Sequence, residues 1–274
     1  MGLSGTRWLI FEARRAEETA ILFRKAGAEP TCVAVLREVP TDEAPAVLAF
    51  GTKLERGECD LLIAETGVGV RFLWRIFEPH YGADKARALL DKPVLVARSS
   101  KPAAAFRELG LNADVLVPEP NTWREILNIM RPRTERRVTV LEYGKPDERL
   151  LAGLADQKRA VDRVCVYHYE LPDDLAPIDS ALMRLIAGEF QGVAFTTSGQ
   201  VDHLMEAARR LGKLAEVRTA LGRTFVASIG PTTTGTLREA GFSVAFEPST
   251  PKLGPLVQGL NTAYPNINEL RAGA

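Results

Sequence analysis

Asp60-Leu61-Leu62-Ile63-Ala64-Glu65-Thr66-Gly67-Val68-Gly69-Val70-Arg71-Phe72-Leu73 holds one complete folding unit. Asp60–Ala64 reads as a short strand. Glu65–Gly69 is a turn of small and hydroxyl residues. From Gly69 to Phe77 the pattern becomes helical. Outward from this unit the alternation continues. Strands are expected at Pro93–Ala97 and Val115–Val117, with a helix at Pro102–Leu109 closed by Gly110. Before it come a strand at Trp8–Phe11, a helix at Glu17–Ala26 ended by Gly27, and a strand at Thr31–Leu36. After it come Val138–Leu141, a helix over Glu148–Ala155, and a strand at Arg163–Tyr169. The series ends with strands Gly192–Phe195, Phe225–Ile229 and Val244–Phe246 around helices Val201–Leu211 and Thr233–Ala240. Alternating strands and helices of this length predict parallel sheets with helices on both faces.

The chain also repeats itself. Arg107-Glu108-Leu109-Gly110-Leu111 matches Arg238-Glu239-Ala240-Gly241-Phe242, with Gly110 and Gly241 131 positions apart. Thr66, Val70 and Leu73 match Thr197, Val201 and Leu204 at the same spacing. Two similar α/β domains follow. The Pro-rich, acidic stretches Pro40–Pro45 and Pro172–Pro177 are the expected connections between them.

Composition narrows the function classes. Lys plus Arg number 35 and Asp plus Glu number 35 in 274 residues, so the formal net charge is zero. Such a chain lacks the global field that non-specific nucleic-acid or anionic-membrane binding uses. An anionic ligand needs a local site instead. Cys32, Cys59 and Cys165 are odd in number and widely spaced, which reads as free thiols rather than disulfides. His80, His168 and His203 do not cluster, so no metal is expected. No apolar run approaches membrane-spanning length, and the N-terminal residues carry no signal-peptide pattern, so a cytoplasmic location is expected.

Five turns carry ligand-binding chemistry. They are Ala64–Gly69, Ala97–Pro102, Glu142–Pro146, Phe195–Gln200 and Ile229–Thr234. In open α/β sheets such turns line the crevice at the carboxyl ends of the strands. Glycine lets a ligand approach the backbone, and helix N-termini favour anions. Any α/β protein also uses Ser and Thr as helix caps and Gly in turns. The turns do not spell G-x-G-x-x-G, a P-loop or G-x-S-x-G. Redox, ATP-driven and serine-hydrolase chemistry lose weight accordingly. Tyr167, in Val166-Tyr167-His168-Tyr169, ends an apolar strand next to a predicted hinge. Its phenol is protonated at neutral pH and is suited to hydrogen-bond or proton donation. A strand tyrosine is also a common packing residue.

Ile229-Gly230-Pro231-Thr232-Thr233 with Leu237-Arg238-Glu239-Ala240-Gly241 resembles the late signature of the uroporphyrinogen-III synthase family. Phe195-Thr196-Thr197-Ser198-Gly199 with Val201 looks like the turn that precedes it. Ala64–Val70, Leu141–Pro146 and Val166–Tyr169 fall in the family's order. The resemblance implies two flavodoxin-like α/β domains joined by a two-stranded linker, with a ligand cleft between them. Mapped here, one domain takes about 1–36 with 174–260 and the other about 41–166. The linkers are 37–40 and 167–173, and 261–274 is a solvated tail. The implied reaction closes hydroxymethylbilane, a linear tetrapyrrole with eight carboxylates, into uroporphyrinogen III with the last ring inverted. The implied enzyme is a cofactor-free cyclising lyase, a monomer with no nucleic-acid or membrane partner.

The resemblance makes Tyr167 the catalytic donor to the leaving hydroxyl. It assigns substrate carboxylates to Thr66, Gly67, Val68 and Gly69, with Arg98, Ser99, Tyr143, Gly144 and Lys145 nearby. Thr197, Ser198, Gly199, Gly230, Thr232 and Thr233 make the second set, and Arg14 joins from the turn after the first strand. A non-catalytic two-domain sensor for an anionic small molecule is the alternative on the same fold.

Overall fold

The structure is a computed structural model that describes residues 2–42 and 44–272. In chain order it runs β1 (Arg7–Phe11), α1 (Ala16–Lys25), β2 (Glu29–Cys32), β3 (Arg37–Pro40), α2 (Ala44–Glu55), β4 (Leu61–Ala64), α3 (Gly67–Tyr81) and α4 (Ala83–Leu90). Next come β5 (Val94–Ala97), α5 (Ser100–Glu108), β6 (Val115–Leu116), α6 (Trp123–Met130), β7 (Arg137–Glu142), α7 (Glu148–Asp156), β8 (Ala160–Cys165) and β9 (Tyr167–Glu170). The chain finishes with α8 (Ala176–Ile186), β10 (Gly192–Phe195), α9 (Gly199–Arg210), α10 (Leu214–Arg223), β11 (Phe225–Ser228), α11 (Pro231–Glu239) and α12 (Leu253–Ala272). Two compact units result, residues 1–37 with 170–274, and residues 38–169.

The first unit has a parallel sheet in the order β11-β10-β1-β2. Ala227 adds a single parallel bridge to Phe246 at its outer edge. The predicted strand at Val244–Phe246 shrinks to that bridge. Side chains alternate across the sheet. Leu9 and Phe11 enter one core with α8 and α9, while Trp8 and Ile10 enter another with α1 and α12. Both faces are therefore covered, which is why the strands read as unbroken apolar runs. Trp8 is fully buried, with Phe23, Phe225 and Tyr264 rings 5.5, 5.9 and 5.8 Å away.

The second unit has the parallel order β6-β5-β4-β7-β8. Leu61 and Ile63 face α6 and α7, and Leu62 and Ala64 face α3 and α5. The two sheets repeat in register. Ala64 lies opposite Leu141, and Phe195 lies opposite Phe11. Val96 pairs with Val115, and Ala227, 131 positions on, bridges Phe246. The connections differ, however. Numbered within its own unit, the first sheet reads 4-3-1-2 and the second 3-2-1-4-5. The same spatial layout is thus threaded from two different starting strands. In the second unit the order reverses between β4 and β7, and a doubly wound sheet binds ligands at such a point.

Several expectations need correction. Arg163–Tyr169 is not one strand. It breaks at Val166 into β8, in the five-stranded sheet, and β9, which pairs with β3 in a separate two-stranded sheet. Thr31–Leu36 is likewise shortened, because β2 stops at Cys32. The unit boundaries fall inside β3 and β9, at positions within 37–40 and 167–173 and just short of the Pro-rich stretches. Those prolines start helices: Pro45 lies in the first turn of α2 and Pro177 at the start of α8, where a missing N–H costs nothing. The expected tail at 261–274 is a continuation of α12 as far as Ala272. Tyr264 is only 6% exposed because it packs on Trp8 and Phe225. Gly273 and Ala274 lie outside the described residues.

Candidate active site

The carboxyl ends of β4 and β7 carry most of the predicted residues of the second unit. Thr66 follows β4 with an extended backbone, and its Oγ1 accepts the Gly69 N–H at 3.0 Å. It is the N-cap of α3. Gly67 is required at the next position, since a Cβ there would stand 2.7 Å from the Lys101 carbonyl oxygen. Gly67 and Gly69 are buried and Val68 is half-buried.

Tyr167 opens β9 and is 0% exposed. Its ring stacks on Phe72 at 5.4 Å. Its hydroxyl lies 3.1 Å from Thr66 Oγ1 and 3.3 Å from the Tyr169 hydroxyl. Burial, and after it the Tyr169 phenol, push the Tyr167 pKa well above its ordinary value, while the Thr66 hydroxyl works the other way. The phenol therefore stays protonated. Tyr143 is half-buried, with its ring 6.1 Å from Tyr167 and 5.4 Å from Tyr169. Gly144 has φ +54, and a Cβ there would come 2.7 Å from His168 Cβ. The glycine lets the Tyr143 turn lie against β9. Lys145 is exposed on the same turn.

Across the strand ends runs a row of charges. Arg98, after β5, reaches Glu65 at 3.3 Å, and Arg163, on β8, reaches Glu142 at 2.6 and 2.9 Å. Glu65 is 4% exposed and Glu142 2%. Burial raises the Glu65 pKa against the pull of Arg98. The Arg98 guanidinium is engaged by this buried carboxyl group. Ser99 is half-buried, with an extended backbone and no side-chain capping bond to α5.

In the first unit, Thr197, Ser198 and Gly199 lie between β10 and α9. The Thr196 and Thr197 amides donate to the Gln200 side-chain oxygen at 2.7 and 3.3 Å. Gln200, folded back over its own turn, takes both amides. Thr196 Oγ1 donates to Glu12 at 2.7 Å. Thr197 Oγ1 is buried without a hydrogen-bond partner among the described residues. Ser198 and Gly199 are half-buried. Gly230 has an extended backbone, and a Cβ there would meet Pro251 Cβ at 2.7 Å. Thr232 is exposed, whereas Thr233 is 3% exposed and faces the interior. Arg14 is exposed beyond β1.

The structure thus brings Thr66, Tyr143 and Tyr167 together, with Tyr169, Phe72 and Glu65 as residues that sequence reasoning missed. Tyr169 left a signal, because residues two apart on a strand share a side. Phe72 and Glu65 left none beyond apolar spacing and a turn position. Among the described residues no group of three or more His, Cys, Asp and Glu could hold a metal ion, and no helix is long and apolar enough to cross a membrane.

Comparisons with known proteins agree with one another. A mutant uroporphyrinogen III synthase from the extremely thermophilic bacterium Thermus thermophilus is 29% identical, with a TM-score of 0.74 over 96% of this chain and 100% of that one. A uroporphyrinogen-III synthetase from Helicobacter pylori 26695, 14% identical with a TM-score of 0.57 over 94% and 99% of the two chains, shares the fold. The uncharacterized protein YjjA of Bacillus subtilis (strain 168) is 25% identical over 266 residues, 96% of this chain and 97% of that protein. The family model described as uroporphyrinogen-III synthase HemD matches residues 17–258. The chain, with its parallel α/β sheets and its tyrosine at the strand ends, belongs to the uroporphyrinogen-III synthase family.

Proposed function

We propose that the chain is a cyclising lyase of tetrapyrrole biosynthesis that converts hydroxymethylbilane into uroporphyrinogen III and water, inverting the last pyrrole ring. Family membership over residues 17–258 supports the reaction. The observation that carries it to the residue level is the protonated, buried phenol of Tyr167, hydrogen-bonded to the Thr66 hydroxyl at the strand ends. A phenol kept neutral there is a hydrogen-bond donor for a leaving hydroxyl, and a positioned acid contributes about 10²–10⁴-fold.

The glycine and hydroxyl turns at Thr66–Gly69, Tyr143–Lys145, Thr197–Gly199 and Gly230–Thr233 hold carboxylates in this reading. Arg98 and Ser99 border the first set. Arg98 serves chiefly by shaping the field, because Glu65 already holds it. The substrate is reactive by itself, so the protein's main work is to fold it for the inverted closure. The reading needs no cofactor or metal and is that of a cytoplasmic monomer. The expected cleft between two domains belongs to the same proposal and rests on the family resemblance.

The test is direct. Pure protein is incubated with enzymatically generated hydroxymethylbilane, and the uroporphyrin isomers are resolved. Isomer III in excess of the spontaneous yield supports the proposal. Isomer I alone rejects it and leaves the sensor reading standing.

A further inference from the structure

Thr196 and Glu12 end neighbouring strands of the first unit, one place after the paired residues Phe195 and Phe11. The Thr196 hydroxyl donates to the Glu12 carboxylate at 2.7 Å. Glu65 and Glu142 hold the same two places in the second unit, after the paired residues Ala64 and Leu141. Glu65 and Thr196 are 131 positions apart, the spacing of the repeat. The second unit thus sets a carboxyl group where the first has a hydroxyl donor. Both of its carboxyl groups are buried. Glu142 Oε1 takes both Arg163 hydrogen bonds, and Glu142 Oε2 is buried without a hydrogen-bond partner among the described residues.

Two buried carboxylates at neighbouring strand ends repel, which favours keeping one proton between them. The arginine contacts say where it sits. Arg163 meets Glu142 through two nitrogens at 2.9 and 2.6 Å, as a guanidinium meets an ionised acceptor. Arg98 meets Glu65 through one nitrogen at 3.3 Å, longer than a charge-assisted bond. The negative charge therefore belongs to Glu142 and the proton to Glu65, in keeping with the burial that raises the Glu65 pKa.

We propose that Glu65 is a neutral carboxylic acid that donates to Glu142 Oε2, and that it is a positioning residue holding Arg98 at the strand ends with its positive charge uncancelled, for a carboxylate of the substrate. This rests on the proposed reaction and names what sets affinity in it. The carbonyl oxygen of an acid accepts from Arg98 as a carboxylate would, but leaves the charge of the guanidinium available. Arg98 is a quarter exposed, so that charge reaches beyond the protein interior. The other titratable groups bearing on this row are Asp147, which caps α7, exposed Glu148, Tyr143, Tyr167 and Cys165. All variants below retain them.

The experiment compares wild type, Glu65→Ala and Glu65→Gln. Alanine releases Arg98 and is expected to raise KM about tenfold. Glutamine has the shape and hydrogen bonds of the neutral acid and should recover most of that loss. In wild type KM should rise as pH climbs and Glu65 ionises, and in Glu65→Gln this rise should disappear. A wild-type KM in Glu65→Ala, no recovery in Glu65→Gln, or the same alkaline rise in both proteins overturns the assignment.

Two readouts decide the proton without activity. Infrared difference spectra of wild type against Glu65→Gln at neutral pH should show the carbonyl stretch of a protonated carboxylic acid in wild type alone. An acid with a raised pKa in the folded state adds stability that is full below the unfolded value of about 4 and is lost as pH rises through the folded one. The urea midpoint of wild type should therefore fall relative to Glu65→Gln as pH rises above about 4. A missing band, or a wild-type midpoint that gains on the variant with pH, shows an ionised Glu65 and overturns the proposal. Isomer I alone from the wild type sinks the proposed reaction instead, and these two readouts still decide the proton.

Discussion

Thr66 Oγ1 stands 3.1 Å from the hydroxyl of Tyr167, a residue 101 positions away, while it also caps α3 through the Gly69 N–H. One side chain thus ties the start of a helix to the phenol at the start of β9. Any change at Thr66 acts on both.

Thr66→Val keeps the shape and removes the hydroxyl. It should cost about 1–2 kcal/mol in urea unfolding, through the lost cap and a lost hydrogen bond. Thr66→Ser should recover most of it. Equal midpoints for Val and wild type would show that the cap contributes nothing.

Tyr167→Phe should reduce isomer III formation without abolishing it, since the ring still stacks on Phe72 and the substrate closes unaided. The expected loss is about tenfold. The readout is the initial rate after subtracting the spontaneous reaction. An undiminished rate removes Tyr167 from the reaction.

Arg98→Ala leaves the Glu65 carboxyl group buried without its partner. A loss of about 2–3 kcal/mol is expected, somewhat below that of a fully buried pair because Arg98 is a quarter exposed. Replacing both, as Arg98→Met with Glu65→Gln, should restore most of the stability. If Arg98 instead serves only to grip substrate, KM rises and the denaturation midpoint stays put.

Asp60 accepts the Arg136 and Arg137 amides at 3.1 and 2.8 Å and pairs with the Arg137 guanidinium. The Arg137 hydrogen bond, foremost, holds its pKa at about 2. A carboxylate depressed in the folded state adds stability above its unfolded pKa of about 4. That stability is lost as pH falls from there through about 2. Wild type should therefore lose about 1–2 kcal/mol over this window that Asp60→Asn does not lose. Parallel pH profiles for the two proteins would rule the linkage out.

How much was legible follows from particular residues. Leu61–Ala64 and Gly192–Phe195 were readable because both faces of each sheet are covered, leaving unbroken apolar runs between glycine and hydroxyl turns. Thr66 was readable as a turn hydroxyl ahead of an amphipathic helix. The break at Val166 was not, because Arg163–Tyr169 has the same β-rich composition on both sides of it. Nor was α12, whose polar tail hides the single aromatic, Tyr264, that anchors it to Trp8. The occupied amides of Thr196 and Thr197 depended on Gln200 folding back, a rotamer choice that spacing does not encode.

The amino-acid sequence by itself determined the strand and helix alternation, the two-fold repeat and the positions of the turns. Those depend on local periodicity and backbone preference. Only the tertiary structure decided that Thr66, Tyr167 and Tyr169 form one row of hydroxyls, and that Arg98 belongs to Glu65. Such pairings depend on which strand ends lie side by side. Strand order in a parallel sheet is set by crossovers and core packing far along the chain, so no local pattern carries it.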